Sequence, residues 1–237
     1  MWTLALDTST REGSAALARD GDVVAAASGD PSRTHGERLP GDLLALAREA
    51  GATLSGIDLF AVASGPGSFT SLRVGLATIQ ALALAHRRPV VQVSALEALA
   101  RTPGPGELVL AWMDGHRRDV FAALYRRAGA ACLAGPRAGS PEQILTSWAA
   151  HLRGRRVDVV GDGVTATRAL LARRLGPPAR LVDEPPPLAP VIARIAFERR
   201  EGGTPPHAVQ PLYIRRPDAV IARERGSPAA NDPPAAW

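Results

Sequence analysis

Two aspartates close short β-type runs, Asp7 after Trp2–Leu6 and Asp114 after Leu108–Met113. Each half of the chain later carries a Gly-x-Gly step ahead of a helix, Gly65/Gly67 and Gly161/Gly163. Glycines let a backbone approach a ligand closely, helix N-termini offer unpaired N–H groups to anions, and a carboxylate holds a hydrated magnesium ion. Asp7, Gly65, Gly67, Asp114, Gly161 and Gly163 therefore read as a nucleotide cleft for ATP and Mg²⁺. They read equally well as turn caps and turn glycines, and the pattern leaves both readings open. Other chemistry has less support. The histidines, His35, His86, His116, His151 and His207, include no pair three to five residues apart, so no helix presents a two-histidine metal site. Cys132 stands alone, which removes any disulfide and any cysteine zinc site and fits a reducing cytoplasm. No Gly-x-Ser-x-Gly elbow occurs, and Ser68 has no evident base. No catalytic residue and no metal ligand is assigned.

Periodicity supplies the elements that place these residues. Trp2–Asp7, Ser14–Ala18 and Asp22–Ser28 are strands joined by Thr8–Gly13 and by a tight Arg19-Asp20-Gly21 turn. A helix over Gly36–Ala50, a strand Leu59–Ala63, a helix to His86, a strand Pro89–Val93 and a short helix Ala95–Ala100 follow. Thr102-Pro-Gly-Pro-Gly106 reads as a hinge and sets the domain boundary: 1–104, then 105–216, then an Ala/Pro/Arg-rich tail at 217–237 expected to be loose. Beyond the hinge the pattern restarts with strands Leu108–Met113, Asp119–Tyr125 and Ala130–Gly135. A helix Pro141–His151, a strand Val157–Val160, a helix to Arg174 and a helix Ala189–Glu201 follow. At a shift of 107 residues Asp7 falls on Asp114 and Ala15-Ala16-Leu17 on Ala122-Ala123-Leu124, which makes the chain an internal duplication.

The helix from Thr70 is apolar nearly all round, whereas a helix on one sheet needs a single apolar face. The helix Gly36–Ala50 covers part of the second side. The sharper expectation is that the two helices offer a stripe, Leu39, Leu43, Leu46, Phe69, Leu72, Leu76, Ile79 and Ala83, to another subunit.

The chain has 237 residues, 46% apolar and 22% charged, which excludes disorder throughout, collagen-like structure and a membrane bundle. The apolar run Val74–Ala85 is too short to span a bilayer, and the N-terminus lacks the basic region of a signal peptide. All 28 basic residues are arginine, so the net charge of +5 reflects a GC-rich coding bias before it reflects nucleic acid. Residues 1–104 hold 9 Arg against 10 acids, whereas the remainder holds 19 against 13, so the second half permits a basic face. Arg117, Arg118, Arg126, Arg127, Arg153, Arg155 and Arg156 would supply phosphate contacts if they share a face.

Five runs carry a family resemblance: Leu4-Ala-Leu-Asp-Thr-Ser9, His35-Gly-Glu-Arg-Leu39, Gly65-Pro-Gly-Ser-Phe-Thr-Ser-Leu-Arg-Val-Gly75, Met113-Asp-Gly-His-Arg-Arg-Asp-Val120 and Pro211-Leu-Tyr-Ile-Arg215. They resemble the bacterial TsaB (YeaZ) family of tRNA threonylcarbamoyladenosine biosynthesis proteins, related to the old glycoprotease group. The chain departs from that pattern at Ser71, where the family has Gly, and at Asp114-Gly-His-Arg117, where it has Asp-Ala-Arg-Arg.

The resemblance implies an α/β fold of two duplicated ribonuclease-H-like lobes, the actin-like/sugar kinase fold, with mixed sheets and flanking helices. It implies a cytoplasmic, noncatalytic partner of a TsaD-like subunit, which holds the metal through paired histidines; only His35 stands in the corresponding region here. A TsaE-like ATPase, tRNA through the complex, and a homodimer when alone complete the implied partners, with ATP/Mg shared at the complex. An independent ATP-dependent enzyme, on Asp7, Asp114 and the glycine loops, is the alternative. A peptidase rests on the old family name only.

Overall fold

Along several strands large and small apolar residues alternate, as in Leu4-Ala5-Leu6, Phe60-Ala61-Val62-Ala63 and Leu110-Ala111-Trp112. Successive side chains of a strand point to opposite faces, so the first sheet acquires one bulky face and one alanine face, while the second keeps alanine only at Ala111 and Ala123 of its inner face. The structure, a computed structural model that describes residues 1–177 and 179–215, uses both faces; the tail expected at 217–237 lies outside the described residues.

Strands β1 (Trp2–Asp7), β2 (Ser14–Arg19), β3 (Asp22–Ser28), β4 (Leu59–Gly65) and β5 (Val90–Ser94) form one sheet in the order β3-β2-β1-β4-β5. Strands β6 (Leu108–Asp114), β7 (Val120–Arg126), β8 (Cys132–Gly139), β9 (Val157–Val160) and β10 (Arg180–Val182) repeat that order as β8-β7-β6-β9-β10. Each sheet combines an antiparallel meander with two strands added in parallel. This is the expected α/β duplication with mixed sheets and flanking helices.

Helices α1 (His35–Glu49) and α2 (Phe69–His86) cover the bulky face of the first sheet, where Leu39, Leu43, Leu46, Leu76, Ile79 and Ala83 meet Leu4, Leu6, Leu17, Phe60 and Val62. Helices α4 (Pro141–Ser147), α5 (Ala149–Leu152) and α6 (Gly163–Leu175) cover the bulky face of the second. Between the alanine face of the first sheet and the inner face of the second, where Ala111 and Ala123 stand among Val109, Met113, Phe121 and Tyr125, lie α3 (Ala95–Ala100) and α7 (Ala189–Glu198), in a cluster where 13 of 27 buried residues are alanine. Side chains that small let a helix sit close to a sheet on each side.

Packing crosses the boundary expected at 104/105 in both directions. Helix α3, from the first half, lies against β6 and β7, while α7, from the second, lies on β1, β2 and β4. The chain then stays with the first sheet. Thr204 bridges to Val90, Gln80 Nε2 donates to the Pro206 and Val209 carbonyls at 3.0 and 3.1 Å, and the Leu212 N–H donates to the Ser64 carbonyl at 2.7 Å. Residues 189–213 therefore pack with the first lobe, although sequence order places them in 105–216.

Three local expectations change. The helix expected over Pro141–His151 is broken at Trp148, which turns into the outer core of the second lobe. The three-residue β10 escapes a reading based on periodicity. Finally, Ala5 pairs with Ala16 and Ala111 with Ala123, so β6 is offset from β1 by 106 residues, not 107. A one-residue slip exchanges faces. Asp7 pairs with Ser14, whose hydroxyl accepts the Ala189 N–H of α7 at 3.0 Å, whereas Asp114 pairs with Val120 of the outer core. The two aspartates are not equivalent positions.

The Pro/Gly hinge is locked. Arg127 donates to the Gly106 carbonyl at 2.8 Å, to the Thr102 carbonyl at 2.5 Å and to Asp158 Oδ2 at 2.6 Å, and the Gly106 N–H donates to the same carboxylate at 3.1 Å. Asp158 is 1% exposed. Removing one partner of a buried ion pair costs about 3–5 kcal/mol, because the other charge stays buried. Arg127→Ala is expected to lose about 3 kcal/mol in a urea titration; a loss below about 0.5 kcal/mol would mean the hinge does not depend on this clamp.

Candidate functional site

The cleft between the lobes is about 860 Å³. Its first wall comes from the β1–β2 turn (Ser9, Thr10, Arg11), the start of α1 (Thr34, His35) and the start of α2 (Ser68, Thr70, Ser71); its second comes from Asp114, His116 and Asp162. Of the six residues expected to form a nucleotide cleft, only Asp114 lines it; Gly163 lines a neighbouring pocket with Arg118, Thr167 and Arg173. Asp7 lies beneath, 1% exposed, where its Oδ1 accepts the Ser9 N–H at 2.8 Å and the Ser9 hydroxyl at 2.6 Å. Burial pushes the Asp7 carboxyl above its usual range, the two Ser9 bonds oppose that, and the nearby Asp162 charge adds to it. Asp162 is likewise raised, by desolvation first and by Asp114 among the smaller causes, while its Oδ1 accepts the Asp114 N–H at 2.9 Å.

Backbone packing accounts for the glycines. A Cβ on Gly67 would stand 2.5 Å from the Ser9 carbonyl oxygen, and one on Gly75 would stand 2.1 Å from Thr8 Oγ1, so α2 can seat against the β1–β2 turn only without those side chains. Gly65, at φ +117°, leaves room for the Leu212 carbonyl, and Gly161 and Gly163 lie against the backbone of Trp112 and Met113. A phosphate cradle needs such glycines to face a ligand; these face protein. Among the described residues no group of three His, Cys, Asp or Glu side chains converges as metal ligands do.

His35 is held on both ring nitrogens. Its Nε2 bonds the Thr10 carbonyl at 3.1 Å and its Nδ1 lies 2.8 Å from the Arg38 guanidinium, which fixes the tautomer with the proton on Nε2. Burial holds its pKa below the usual imidazole range. Arg38, 4% exposed, also donates to the Glu12 carbonyl and pairs with Asp42 at 2.6 Å, and its guanidinium lies against Gly29. Sequence reasoning missed this clamp; the only signal was the His-Gly-Glu-Arg spacing, which sets both side chains on one face of α1.

Seven of the eight residues expected to meet another subunit, Leu39, Leu43, Leu46, Leu72, Leu76, Ile79 and Ala83, are at most 4% exposed inside this chain's own core; Phe69 alone is open, at 38%. Periodicity had marked the face that the sheet takes. The open side of the same helices carries Leu44 and Leu84, 53% and 68% exposed, with Ala77, Ala81 and Ala85.

The arginines of the second lobe are spread along it and partly engaged. Arg126 pairs with Leu108 at one end of β6, and Arg155 and Arg156 reach Glu107 there. Arg117 and Arg118 sit in the turn after Asp114, about 20 Å away at ~3.3 Å per residue. Arg127 is spent on Asp158.

The family described as "TsaD: tRNA N6-adenosine threonylcarbamoyltransferase" matches residues 29–172. An uncharacterized protein of Mycobacterium tuberculosis is 31% identical over 218 residues, 91% of this chain and 92% of that one. The tRNA threonylcarbamoyladenosine biosynthesis protein TsaB of Escherichia coli is 35% identical over 130 residues, 54% of this chain and 56% of that one. The solved structure of YeaZ from Pseudomonas aeruginosa superposes with a TM-score of 0.74 at 29% identity, covering 90% of this chain and 99% of that one.

A carboxyl whose folded pKa is raised stabilises the fold below its unfolded pKa, and that contribution is lost as pH rises through the folded value. For Asp7 the loss begins above the ordinary value of 3.8. Asp7→Asn keeps an oxygen for Ser9 and carries no charge, so its Tm is expected to rise relative to wild type between pH 4 and pH 8. A Tm difference that stays constant over that range would show that Asp7 is not the titrating group.

Proposed function

This chain belongs to the TsaB/YeaZ family, and from that premise we propose that it serves tRNA threonylcarbamoyladenosine biosynthesis as a noncatalytic, cytoplasmic subunit that supports a TsaD-like transferase. The two duplicated lobes with mixed sheets fit the actin-like/sugar kinase fold that the resemblance implies. The observation that carries the reading is His35. A metal ligand needs a free imidazole lone pair, and here Nδ1 receives Arg38 while Nε2 bonds Thr10. The imidazole works as a brace between α1 and the β1–β2 turn.

In this reading the chain's contribution is a surface. The open side of α1 and α2, Leu44, Ala77, Ala81, Leu84 and Ala85, takes the catalytic subunit, or a second copy of this chain when that subunit is absent. Large exposed apolar residues flanked by alanine let another helix pair approach closely. Neither Leu44 nor Leu84 belongs to the core, so changing them leaves the fold alone, whereas truncating a core residue such as Leu76 costs about 2–5 kcal/mol of folding stability. A TsaE-like ATPase and tRNA join through the complex.

The second reading, an ATP-dependent enzyme, is favoured by one observation: Asp114 and Asp162 share a roomy cleft with the N-terminus of α2. Calorimetric titration with Mg-ATP separates the two. Submicromolar binding with turnover that Asp114→Ala abolishes would replace the scaffold reading.

The transfer assay, run with the catalytic subunit with and without this chain, is expected to need the chain. Leu84→Glu is expected to keep the wild-type Tm within about 2 °C yet to weaken association in sedimentation at least tenfold. Wild-type association by Leu84→Glu would exclude this face as the contact.

A further inference from the structure

Near the first turn of α2 three side chains close a triangle of contacts. The Arg73 guanidinium lies 3.8 Å from the centre of the Phe69 ring, Phe69 and Tyr213 stack at 5.2 Å with 24° between planes, and Arg73 Nε donates to the Tyr213 hydroxyl at 3.1 Å. Such contacts fix long side chains before any ligand arrives, which removes much of the entropy cost of binding. Phe69, Tyr213 and the adjoining Leu212 stay 38%, 38% and 37% exposed, so the assembled group presents aromatic surface to solvent.

Its electrostatic setting selects the partner. Neither α2 nor residues 204–215 contain an aspartate or glutamate, and among the described residues no carboxylate forms an ion pair with Arg73. No side chain caps α2, so its first-turn N–H groups add positive potential beside the Ser68, Thr70 and Ser71 hydroxyls that edge the cleft. Exposed rings joined to an uncompensated arginine suit unpaired nucleobases, whose faces stack on aromatics and arginine while their phosphates meet the cation. A mainly apolar helix of a protein partner would gain nothing from that charge.

We propose that Phe69, Arg73 and Tyr213 form a stacking platform for a base of single-stranded RNA, with Arg73 and the start of α2 facing its phosphate. This rests on the tRNA reading above only for the source of the RNA. The platform lies on the first lobe, near neutral in sequence, and not on the arginine-rich second lobe.

The test uses the full-length chain and a 12-nucleotide single-stranded RNA carrying 2-aminopurine, beside a duplex of equal phosphate number. Expected are quenched 2-aminopurine emission on binding and single-strand affinity at least fivefold above that of the duplex. Tyr213→Ala and Arg73→Ala should each weaken single-strand binding by roughly ten- to a hundredfold, while Tyr213→Phe, which keeps the ring, stays within about threefold of wild type. Circular dichroism and Tm screen each variant, and Arg73→Gln stands in should Arg73→Ala unfold. Equal binding of single strand and duplex, or wild-type affinity in folded Tyr213→Ala, would overturn the platform. So would RNA binding intact but association with the catalytic subunit lost in Tyr213→Ala, which would make the patch a protein contact. Because the readout is RNA binding by this chain alone, it can fail while the transfer assay still requires the chain, and the reverse.

Discussion

Two sheets share one interior. Helices α3 and α7 lie between the inner faces of the two sheets, each from one half of the sequence and each in contact with the sheet of the other half, so neither sheet is covered on its inner side by its own half alone. That exchange governs the rest. It forces the chain after α7 back along the first sheet, where Gln80, Ser64 and Phe69 receive it, and it requires a rigid crossing between the halves, which Arg127 and Asp158 provide at the Pro/Gly segment. The Glu97–Arg199 and Arg101–Glu198 pairs tie α3 to α7 at the surface, where ion pairs are worth little alone and mainly set orientation.

The same constraint explains why the cleft is a poor guide to function. Close seating of α2 on the β1–β2 turn needs Gly67 and Gly75, and close seating of the β9–α6 turn on β6 needs Gly161 and Gly163. Glycines that elsewhere admit phosphates here admit backbone. What remains in the cleft is a set of hydroxyls facing Asp114 and Asp162, with His35 and Arg38 bracing the loop above. The exposed apolar side chains lie outside it, Leu44 and Leu84 on the open side of α1 and α2, and Phe69 and Tyr213 beside the start of α2.

Legibility followed the range of the interaction. Strand and helix boundaries came within two residues for most elements because alternation and 3.6-residue periodicity are local, and the duplication was visible because its Asp, Arg and Ala–Leu markers recur. Trp148 and β10 were lost because a buried indole and a three-residue strand leave no period. The interface stripe was misplaced for a physical reason: α2 is apolar nearly all round, so its sequence cannot say which side the sheet buries.

Residue type and spacing along single elements were enough to identify a duplicated α/β chain with no paired histidines, a lone cysteine and the family motifs. That Asp7 is buried while Asp114 is open follows from long-range pairing, since a one-residue difference in strand offset exchanges faces. Tertiary packing likewise brings residues 189–213 to the first lobe and joins Phe69 and Arg73 to Tyr213 across 140 residues of chain. Contacts between distant segments are set by which faces a shared core consumes, and a one-dimensional pattern carries no record of that.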